Sequence, residues 1–244
     1  MCRHLAYLGP PASLTGVLID PPHSLYRQSW VPRRQRFGTV NADGFGVGWY
    51  ADGDPRPARY RREVPIWADE SFADVARVTR TMALLAAVRS ASEHTDHGAA
   101  AAAPFAADNW LFSHNGRLDD WPGSAAVLAA ALASAELLTL EARVDSALLW
   151  ALVLHRLRAG QPPRDAIAGT LASLDEAGVT GRFNFLLTDG HSIAASAKGD
   201  TLCYREADDA ITVASEPTDD EPGWHDVPEG SVLTVSLHER IEIR

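Results

Sequence analysis

The order in which strand-like and helix-like segments follow one another constrains the fold of this 244-residue chain most strongly. Residues 42–50 alternate glycine with bulky side chains, a period of two that is typical of a β-strand. Residues 124–138 and 145–158 are rich in strong helix formers, and the last quarter of the chain returns to strand-like patterns. Strands, then helices, then strands indicate an α+β fold with helices packed outside the sheets. No repeat or Pro-rich linker divides the chain, so we expect a single domain over residues 1–244.

The pattern of each segment adds a more local prediction. The apolar run at residues 5–8 predicts an opening strand that Gly9-Pro10-Pro11 closes, followed by a loop-rich segment over residues 10–43. The other predicted elements are a return strand at 58–64, a helix at 70–82, a buried strand at 83–89, a strand at 109–113 that stops at His114-Asn115-Gly116, a helix at 164–177, and strands at 182–188, 191–197, 201–206, 210–215, 231–236 and 239–243.

The chain begins Met1-Cys2, so removal of Met1 makes Cys2 the N-terminal residue. Cys2 then carries a thiol and a free α-amine, whose ordinary pKa is about 7.7–8.0. Such an amine can act as general base for its own nucleophile, so that no separate histidine is needed. The alternative is that Cys2 is a small buried residue opening an edge strand, because free cysteine packs as a small apolar side chain. Cys203 lies in a strand-like run and is predicted to belong to the core.

The charge balance argues against several classes of partner. The chain carries 22 basic and 32 acidic residues, a net charge of −10, which does not suit a nucleic acid or an anionic membrane surface. No window approaches the ~18 apolar residues that span a bilayer, and the start lacks the apolar segment of a secretory signal. Two cysteines do not form a disulfide framework. We therefore expect a cytoplasmic protein with reduced thiols.

Three groups of polar residues are predicted at strand ends or helix starts, where a rigid scaffold commonly positions catalytic side chains. Asn115 and Gly116 offer a side-chain amide and an adjacent backbone N–H, the two donors that a tetrahedral oxyanion requires, although Asn-Gly is also the commonest hairpin turn. Arg89, with Ser92 close in sequence, could bind a carboxylate in bidentate fashion or form a surface ion pair. Asp145 could bind a substrate ammonium or cap the helix that starts there.

Two other motifs carry no prediction of a site. His94 and His97 have a spacing that would suit a metal ion, but the Gly/Ala-rich loop provides no helix to fix them and no third ligand, so no metal site is predicted. The segment DGFGVGW contains G-x-G-x-G, but it is itself a strand and does not join a strand to a helix. It therefore does not indicate a phosphate-binding loop.

Five motifs occur in one order: Cys2 after Met1, NADGFGVGWY, VRSAS, SHNG and VDS. In this combination the chain resembles the class II glutamine amidotransferases, a branch of the N-terminal-nucleophile hydrolases. The motifs cover residues 1–150, and the C-terminal ASEPTDDEPGW and VPEGSVLTV resemble the stand-alone members of the family. The resemblance implies a four-layer αββα sandwich. It also implies that Cys2 is the nucleophile, with its own amine as base, and that Asn115 and Gly116 form the oxyanion hole.

The resemblance further implies how a small-molecule γ-glutamyl substrate is held. Arg89 binds the α-carboxylate of the glutamyl group, Ser92 is a further substrate-binding residue, and Asp145 binds the α-ammonium. No cofactor and no metal is implied, and a protein partner is left open.

Within the family, three segments (MCRHLAYLG, VRSAS and LFSHNGRLDDW) are most similar to the branch that acts in ergothioneine biosynthesis. Members of that branch hydrolyse the γ-glutamyl amide of a thiol-derived sulfoxide that carries a trimethylated histidine. We therefore expect an amidohydrolase that releases glutamate from such a substrate. Two alternatives stay open: a glutaminase subunit that passes ammonia to a separate synthase, and a non-catalytic binding protein that keeps the fold.

Overall fold

The computed structural model describes residues 2–91, 95–207, 209–237 and 239–244. Ser92, a predicted substrate-binding residue, and His94, one member of the histidine pair, lie outside the described residues. None of the described helices is long and apolar enough to cross a membrane.

Within the described residues, β-strands contain more of the backbone than α-helices do. In chain order, the strands are β1 (Arg3–Ser13), β2 (Phe45–Trp49), β3 (Ala58–Arg62), β4 (Arg80–Val88), β5 (Phe105–Ala107), β6 (Trp110–Leu118), β7 (Gly181–Thr188), β8 (Ser192–Ser196), β9 (Cys203–Ala207), β10 (Ala210–Ala214), β11 (His225–Asp226), β12 (Val232–Ser236) and β13 (Glu239–Ile243).

The helices fall between these strands. They are α1 (Leu14–Leu18), α2 (Leu25–Gln28), α3 (Glu70–Val78), α4 (Ala126–Ala129), α5 (Ser134–Leu138), α6 (Asp145–Arg158) and α7 (Pro163–Glu176), with short 3₁₀ segments at Ile66–Ala68, Ala99–Ala101 and Gly123–Ala125. Among the described helices, α6 and α7 are the longest, at 14 residues each.

The strands form two sheets in which the neighbouring strands run antiparallel. The first sheet has the order β11-β9-β10-β1-β4-β2-β3, and the second has the order β13-β12-β8-β7-β6-β5. One apolar cluster, which includes Leu8, Leu85 and Leu186, lies between the sheets. A second covers the outer face of the first sheet under α1–α3, and a third joins the second sheet to α6 and α7. The predicted α+β fold with four layers, αββα, is confirmed.

Alternation along β1 explains how this strand contributes to two layers. Leu5 and Tyr7 pack against the outer helices, whereas Ala6 and Leu8 face the second sheet, as the period of two requires. The glycines of β2 allow the close approach that the sequence predicts: a Cβ on Gly46 would lie 2.3 Å from a backbone carbonyl oxygen. The approaching group is the chain just before β5.

Several predicted boundaries were wrong, in two cases because pairing between distant segments overrides local pattern. The opening strand continues through Gly9-Pro10-Pro11 to Ser13, and its register against β4 shifts across the prolines. The loop-rich segment contains α1 and α2, and the short strands β5 and β11 had no predicted counterpart. The helix predicted over 70–82 ends at Val78 because Arg80 already pairs with β1. The helix predicted over 124–138 is divided into short pieces.

Candidate active site

The predicted nucleophile, Cys2, is half-buried and lies immediately before β1, the central strand of the first sheet. β1 pairs with β4 so that Arg3 lies opposite Val88, which places Cys2 beside the segment that leaves the end of β4. The Cys2 Sγ lies 3.9 Å from the carbonyl oxygen of Ser90 in that segment. The thiol is therefore partly exposed at one end of the sandwich.

The second thiol, on Cys203, has a different environment. It is fully buried in β9 and donates a hydrogen bond to the carbonyl oxygen of Ala214 at 3.4 Å. Burial raises the pKa of this thiol far above its ordinary range, so it stays protonated and unreactive. The prediction that Cys203 belongs to the core is confirmed.

Asn115 and Gly116 lie inside β6, which runs on to Leu118. The prediction that the strand stops at this point was wrong, and so was the alternative of a hairpin turn. Pairing with β7 continues through the region, with Asn115 opposite Asn184 and Gly116 opposite Phe183. The two predicted oxyanion donors are thus fixed by a regular sheet.

The hydrogen bonds of β7 determine where the Gly116 N–H points. Phe183 donates its own N–H to the carbonyl oxygen of Lys198 at 2.7 Å, on the side away from β6. Gly116 and Phe183 therefore form a non-hydrogen-bonded pair, and the Gly116 N–H points to the other edge of β6. β5 pairs with β6 only as far as Phe112, so in the described part of the chain no strand covers that edge at Gly116. An oxyanion could accept a hydrogen bond from this N–H.

Asp145 lies along the same edge. It is the first residue of α6 after the N-cap Val144, so the predicted N-cap role was wrong. Its buried carboxylate accepts the backbone N–H of Leu118 at 2.8 Å and that of Ser146 at 2.7 Å. Leu118 follows Gly116 by two residues, so the two N–H groups point to the same edge, about 7 Å apart.

The Asn115 side chain faces the space between the two sheets, on the same side of β6 as Leu111, and is fully buried. Its Nδ2 lies 3.4 Å from the hydroxyl of Ser215, whereas its Oδ1 has no hydrogen-bond partner. The Ser215 hydroxyl also accepts the backbone N–H of His4 at 3.0 Å. Ser215 thus connects the Asn115 amide to β1, two residues after Cys2.

Arg89 directly follows β4 and is only 8% exposed, so the alternative of a surface ion pair was wrong. Its guanidinium donates to the carbonyl oxygens of Asp96 at 2.8 Å and Asp43 at 3.4 Å, and to the hydroxyl of Thr95 at 3.3 Å. Among the described residues, no carboxylate forms an ion pair with it. Neutral oxygens orient the group without forming an ion pair with it, which suits the binding of an anion.

A short series of contacts links the surroundings of Arg89 to those of Asp145. The Asp96 carboxylate accepts the N–H of Arg143 at 2.8 Å, and this bond lowers the pKa of Asp96. Arg143 precedes Asp145 by only two residues. The fold thereby brings the two predicted substrate-binding residues to adjoining segments. Because Ser92 lies outside the described residues, its role stays a prediction.

Two buried histidines, for which the sequence predicts no role, flank the site. His4 Nδ1 lies 3.1 Å from the hydroxyl of Ser113, and its Nε2 has no partner. His114 Nε2 lies 2.8 Å from the carbonyl oxygen of Arg182, and its Nδ1 lies 2.9 Å from the hydroxyl of Ser146. Burial lowers the pKa of both rings. Neutral His114 carries its proton on Nε2, because a carbonyl oxygen can only accept.

Sequence reasoning also missed Ser215, which lies 100 positions from the asparagine that it contacts. The only signal was its place in the motif ASEP, part of a segment that resembles the stand-alone members of the family. A serine at the end of a strand gives no local indication of which distant side chain it will meet.

Known proteins resemble this chain over most of its length. Residues 17–208 match the family of class II glutamine amidotransferases. The chain is 40% identical over 235 residues to a γ-glutamyl-hercynylcysteine sulfoxide hydrolase of Mycolicibacterium smegmatis, covering 96% of each protein. A relative of the same name from Mycobacterium tuberculosis is 39% identical over 237 residues, covering 97% of this chain and 93% of the relative.

Solved structures agree with these sequence matches. A glutamine aminotransferase class-II domain protein from Silicibacter pomeroyi has a TM-score of 0.73 at 25% identity, over 100% of this chain and 98% of the other. The glutamine phosphoribosylpyrophosphate amidotransferase of B. subtilis has a TM-score of 0.67 at 17% identity, over 100% of this chain and 49% of the other, which shows a shared fold. With its ordered motifs, its two stacked sheets and a match over most of its length, the chain belongs to the class II glutamine amidotransferases.

Proposed function

We propose that this chain is an amidohydrolase that cleaves the γ-glutamyl amide of γ-glutamyl-hercynylcysteine sulfoxide and releases glutamate. The observation that carries this proposal is 40% identity, over nearly the whole chain, to a relative that bears that name. A half-buried thiol on Cys2 and an uncovered N–H on Gly116 support the same chemistry. The cytoplasmic location expected from the sequence is part of the proposal.

The proposed reaction begins on Cys2 after removal of Met1. The α-amine accepts the thiol proton, and the thiolate attacks the γ-carbonyl carbon. The side-chain amide of Asn115 and the N–H of Gly116 donate hydrogen bonds to the oxyanion. The α-ammonium then gives its proton to the leaving nitrogen as the C–N bond breaks. Water, deprotonated by the same amine, cleaves the γ-glutamyl thioester and regenerates the thiol.

The glutamyl half is held by two charges in this proposal. Arg89 binds its α-carboxylate, which is supported by a buried guanidinium without an ion-pair partner in the described part of the chain. Asp145 binds its α-ammonium, and two backbone N–H groups already hold the carboxylate in place. Both charged groups are buried or nearly so, which makes each contact stronger than it would be in water.

The test compares glutamate release from three compounds by kcat/KM: the trimethylated sulfoxide substrate, its unmethylated histidine analogue, and glutamine. We expect the trimethylated substrate to be cleaved best. If glutamine were the best of the three, the chain would be a glutaminase subunit instead. If no compound released glutamate, the non-catalytic alternative would replace the proposal.

The nucleophile is tested with the two cysteines as a matched pair. Cys2→Ala should abolish turnover with little change in the unfolding midpoint, because the proposed role of this thiol is chemical. Cys203→Ala should keep activity, since that thiol is buried away from the site. Intact-protein mass spectrometry should show an active chain that starts at Cys2, and an active sample that retains Met1 throughout would contradict the mechanism.

A further inference from the structure

Arg182, the second residue of β7, has no role in the reaction described above. Along β7, Asn184 and Leu186 face the space between the sheets, and Arg182 shares their side of the strand. It pairs with Arg117 on β6, so it is the diagonal neighbour of Asn115 on the same face. Diagonal neighbours in a sheet lie about 7–8 Å apart. The Arg182 side chain can therefore reach the surroundings of the oxyanion hole.

The Arg182 guanidinium is unpaired in the described part of the chain. No carboxylate forms an ion pair with it, and its Nε is buried without a hydrogen-bond partner. Two other partly buried arginines are neutralised, Arg61 by Glu141 at 2.7 Å and Arg205 by Asp219 at 2.7 Å, whereas Arg156 donates to the hydroxyl of Ser173 at 2.7 Å. Arg182 differs from Arg156 because its buried Nε has no hydrogen-bond partner, so its charge and this donor are both available to an anion of a ligand.

An aromatic ring holds this guanidinium from one side. The Cζ of Arg182 lies 4.5 Å from the centre of the Phe37 ring, which is 53% exposed. Such stacking fixes the plane of the guanidinium while its N–H groups stay free to donate. The group is thus oriented before any ligand binds.

The segment that carries Phe37 is anchored beside the nucleophile. The side chain of Gln35 accepts a hydrogen bond from Arg3, the residue after Cys2, at 3.1 Å. The buried carboxylate of Glu216 accepts the backbone N–H groups of two arginines just before Gln35, each at 2.8 Å. This segment therefore extends from the start of β1 to Arg182, along the end of the sandwich where Cys2 lies.

We propose that Arg182 binds a carboxylate on the leaving half of the substrate, which makes the enzyme selective for γ-glutamyl amides of α-amino acids. The inference rests on the proposed function. In such an amide, the carboxylate is carried by the carbon bonded to the scissile nitrogen. The glutamyl half is then held by Arg89 and Asp145, and the leaving half by Arg182. Glutamine, whose leaving group is ammonia, cannot use this contact.

The experiment measures kcat/KM for two substrates: the γ-glutamyl-hercynylcysteine sulfoxide, and an analogue in which the cysteine carboxylate is replaced by hydrogen. Arg182→Gln should lower kcat/KM for the full substrate by at least about 30-fold, as expected when one partner of a charge pair is lost. In the native enzyme, removal of the substrate carboxylate should cause a similar loss. Arg182→Gln should then lose little more with the analogue.

Arg117→Gln is the matched control, because Arg117 lies opposite Arg182 in the same strand pair but is already paired with Asp119 at 2.9 Å. Its kcat/KM should stay close to native with both substrates. If Arg182→Gln lowered kcat/KM equally with both substrates, the residue would have only a structural role and the inference would be overturned. If the native enzyme cleaved neither substrate, the proposed function would fail and this inference with it. Thermal unfolding of each variant reports whether it is folded.

Discussion

At the scale of single residues, the candidate site contains buried polar atoms for which the described chain provides no partner. Asn115 Oδ1 and His4 Nε2 are two of them. The Ser215 hydroxyl accepts the His4 N–H, so its own proton is left to donate. If the Asn115 amide turns by 180°, its oxygen accepts that proton and its NH₂ group takes the unpaired position. Ser215 then holds the amide with its donors directed to an oxyanion.

This arrangement predicts that Ser215 acts through Asn115. Asn115→Ala should lower kcat by roughly 10²–10³-fold, the usual loss for one oxyanion donor. Ser215→Ala should lower kcat by about 10-fold, a rise of ~1.4 kcal/mol in the activation free energy, because the Asn115 amide is then less well oriented. In the Asn115→Ala background, Ser215→Ala should have no further effect. Ser196→Ala is the control, because Ser196 is equally buried and also accepts a backbone N–H. Additive losses in the double variant would contradict the coupling.

The charges on Arg89 and Asp145 predict selection of a free α-amino acid end. Arg89→Ala and Asp145→Ala should each cost ~2–5 kcal/mol in kcat/KM, because each leaves a charged group of the substrate without its partner. Asp145→Asn keeps an acceptor for the Leu118 N–H while it removes the charge, so it separates binding from folding. Substrates with a blocked α-amine or α-carboxyl provide the second measurement. Equal cleavage of blocked and free substrates would refute both roles.

At the scale of the element, β6 depends on a residue without a side chain at one position. A Cβ on Gly116 would lie 1.9 Å from the carbonyl oxygen of Arg182 and 2.6 Å from His114 Nε2. Both neighbours are held by the sheet or by hydrogen bonds, so neither can move away at low cost. The glycine that supplies the proposed oxyanion N–H is thus also the residue that allows β6 and β7 to pair.

Gly116→Ala should therefore lower the free energy of unfolding by about 1–3 kcal/mol, the usual range for an overpacked interior site. Gly123→Ala is the matched control, because a Cβ at Gly123 has no neighbour within 4 Å. That variant should be neutral or slightly more stable, by about 0.4–1 kcal/mol, since alanine restricts the unfolded chain. Urea unfolding measures both. Equal stability of the two variants would mean that the strand pair adjusts freely.

At the scale of the whole molecule, the layers bury two histidines that the folded state keeps neutral: His4 between the sheets, beside Ser113, and His114 between the second sheet and α6. Burial is the largest cause of the lowered pKa of both His4 and His114. The unfolded chain therefore binds more protons than the folded chain at mildly acidic pH. Stability contributed by these residues is present above the unfolded pKa of about 6.5, and it is lost as the pH falls from there toward the lower folded pKa.

We expect the free energy of unfolding to fall between pH 7.5 and 5.5, with a slope of up to ~1.4 kcal/mol per pH unit for each histidine. His114→Gln should make this dependence less steep, because it removes one of the two titrating groups. Urea unfolding at several pH values gives the slopes, and identical slopes for the native protein and this variant would rule out a contribution from His114.

The sequence by itself determined the features that depend on neighbouring residues. The bounds of α6 agree with its apolar pattern, Cys203 is buried as its strand-like surroundings indicate, and the α+β class follows from the order of segments. These features can be predicted because the periodicity and composition of a segment determine its local structure within one helical turn or one strand. The family could also be recognised from the sequence, because the order of the motifs along the chain does not depend on how the chain folds. The interpretation of residues 1–244 as one domain stays a prediction.

Only the tertiary structure decided which distant residues meet. β6 continues through Asn115 because β7 pairs with it, although the local sequence has the pattern of a turn. Arg89 and Arg182 lack ion-pair partners within the described residues because the side chains and backbone that the fold places around them include no paired carboxylate. The sequence motifs give no indication of this. Asn115 meets Ser215 across 100 positions. Such contacts depend on the register and stacking of two sheets, which are set by the packing of the whole chain and are not encoded in any short segment.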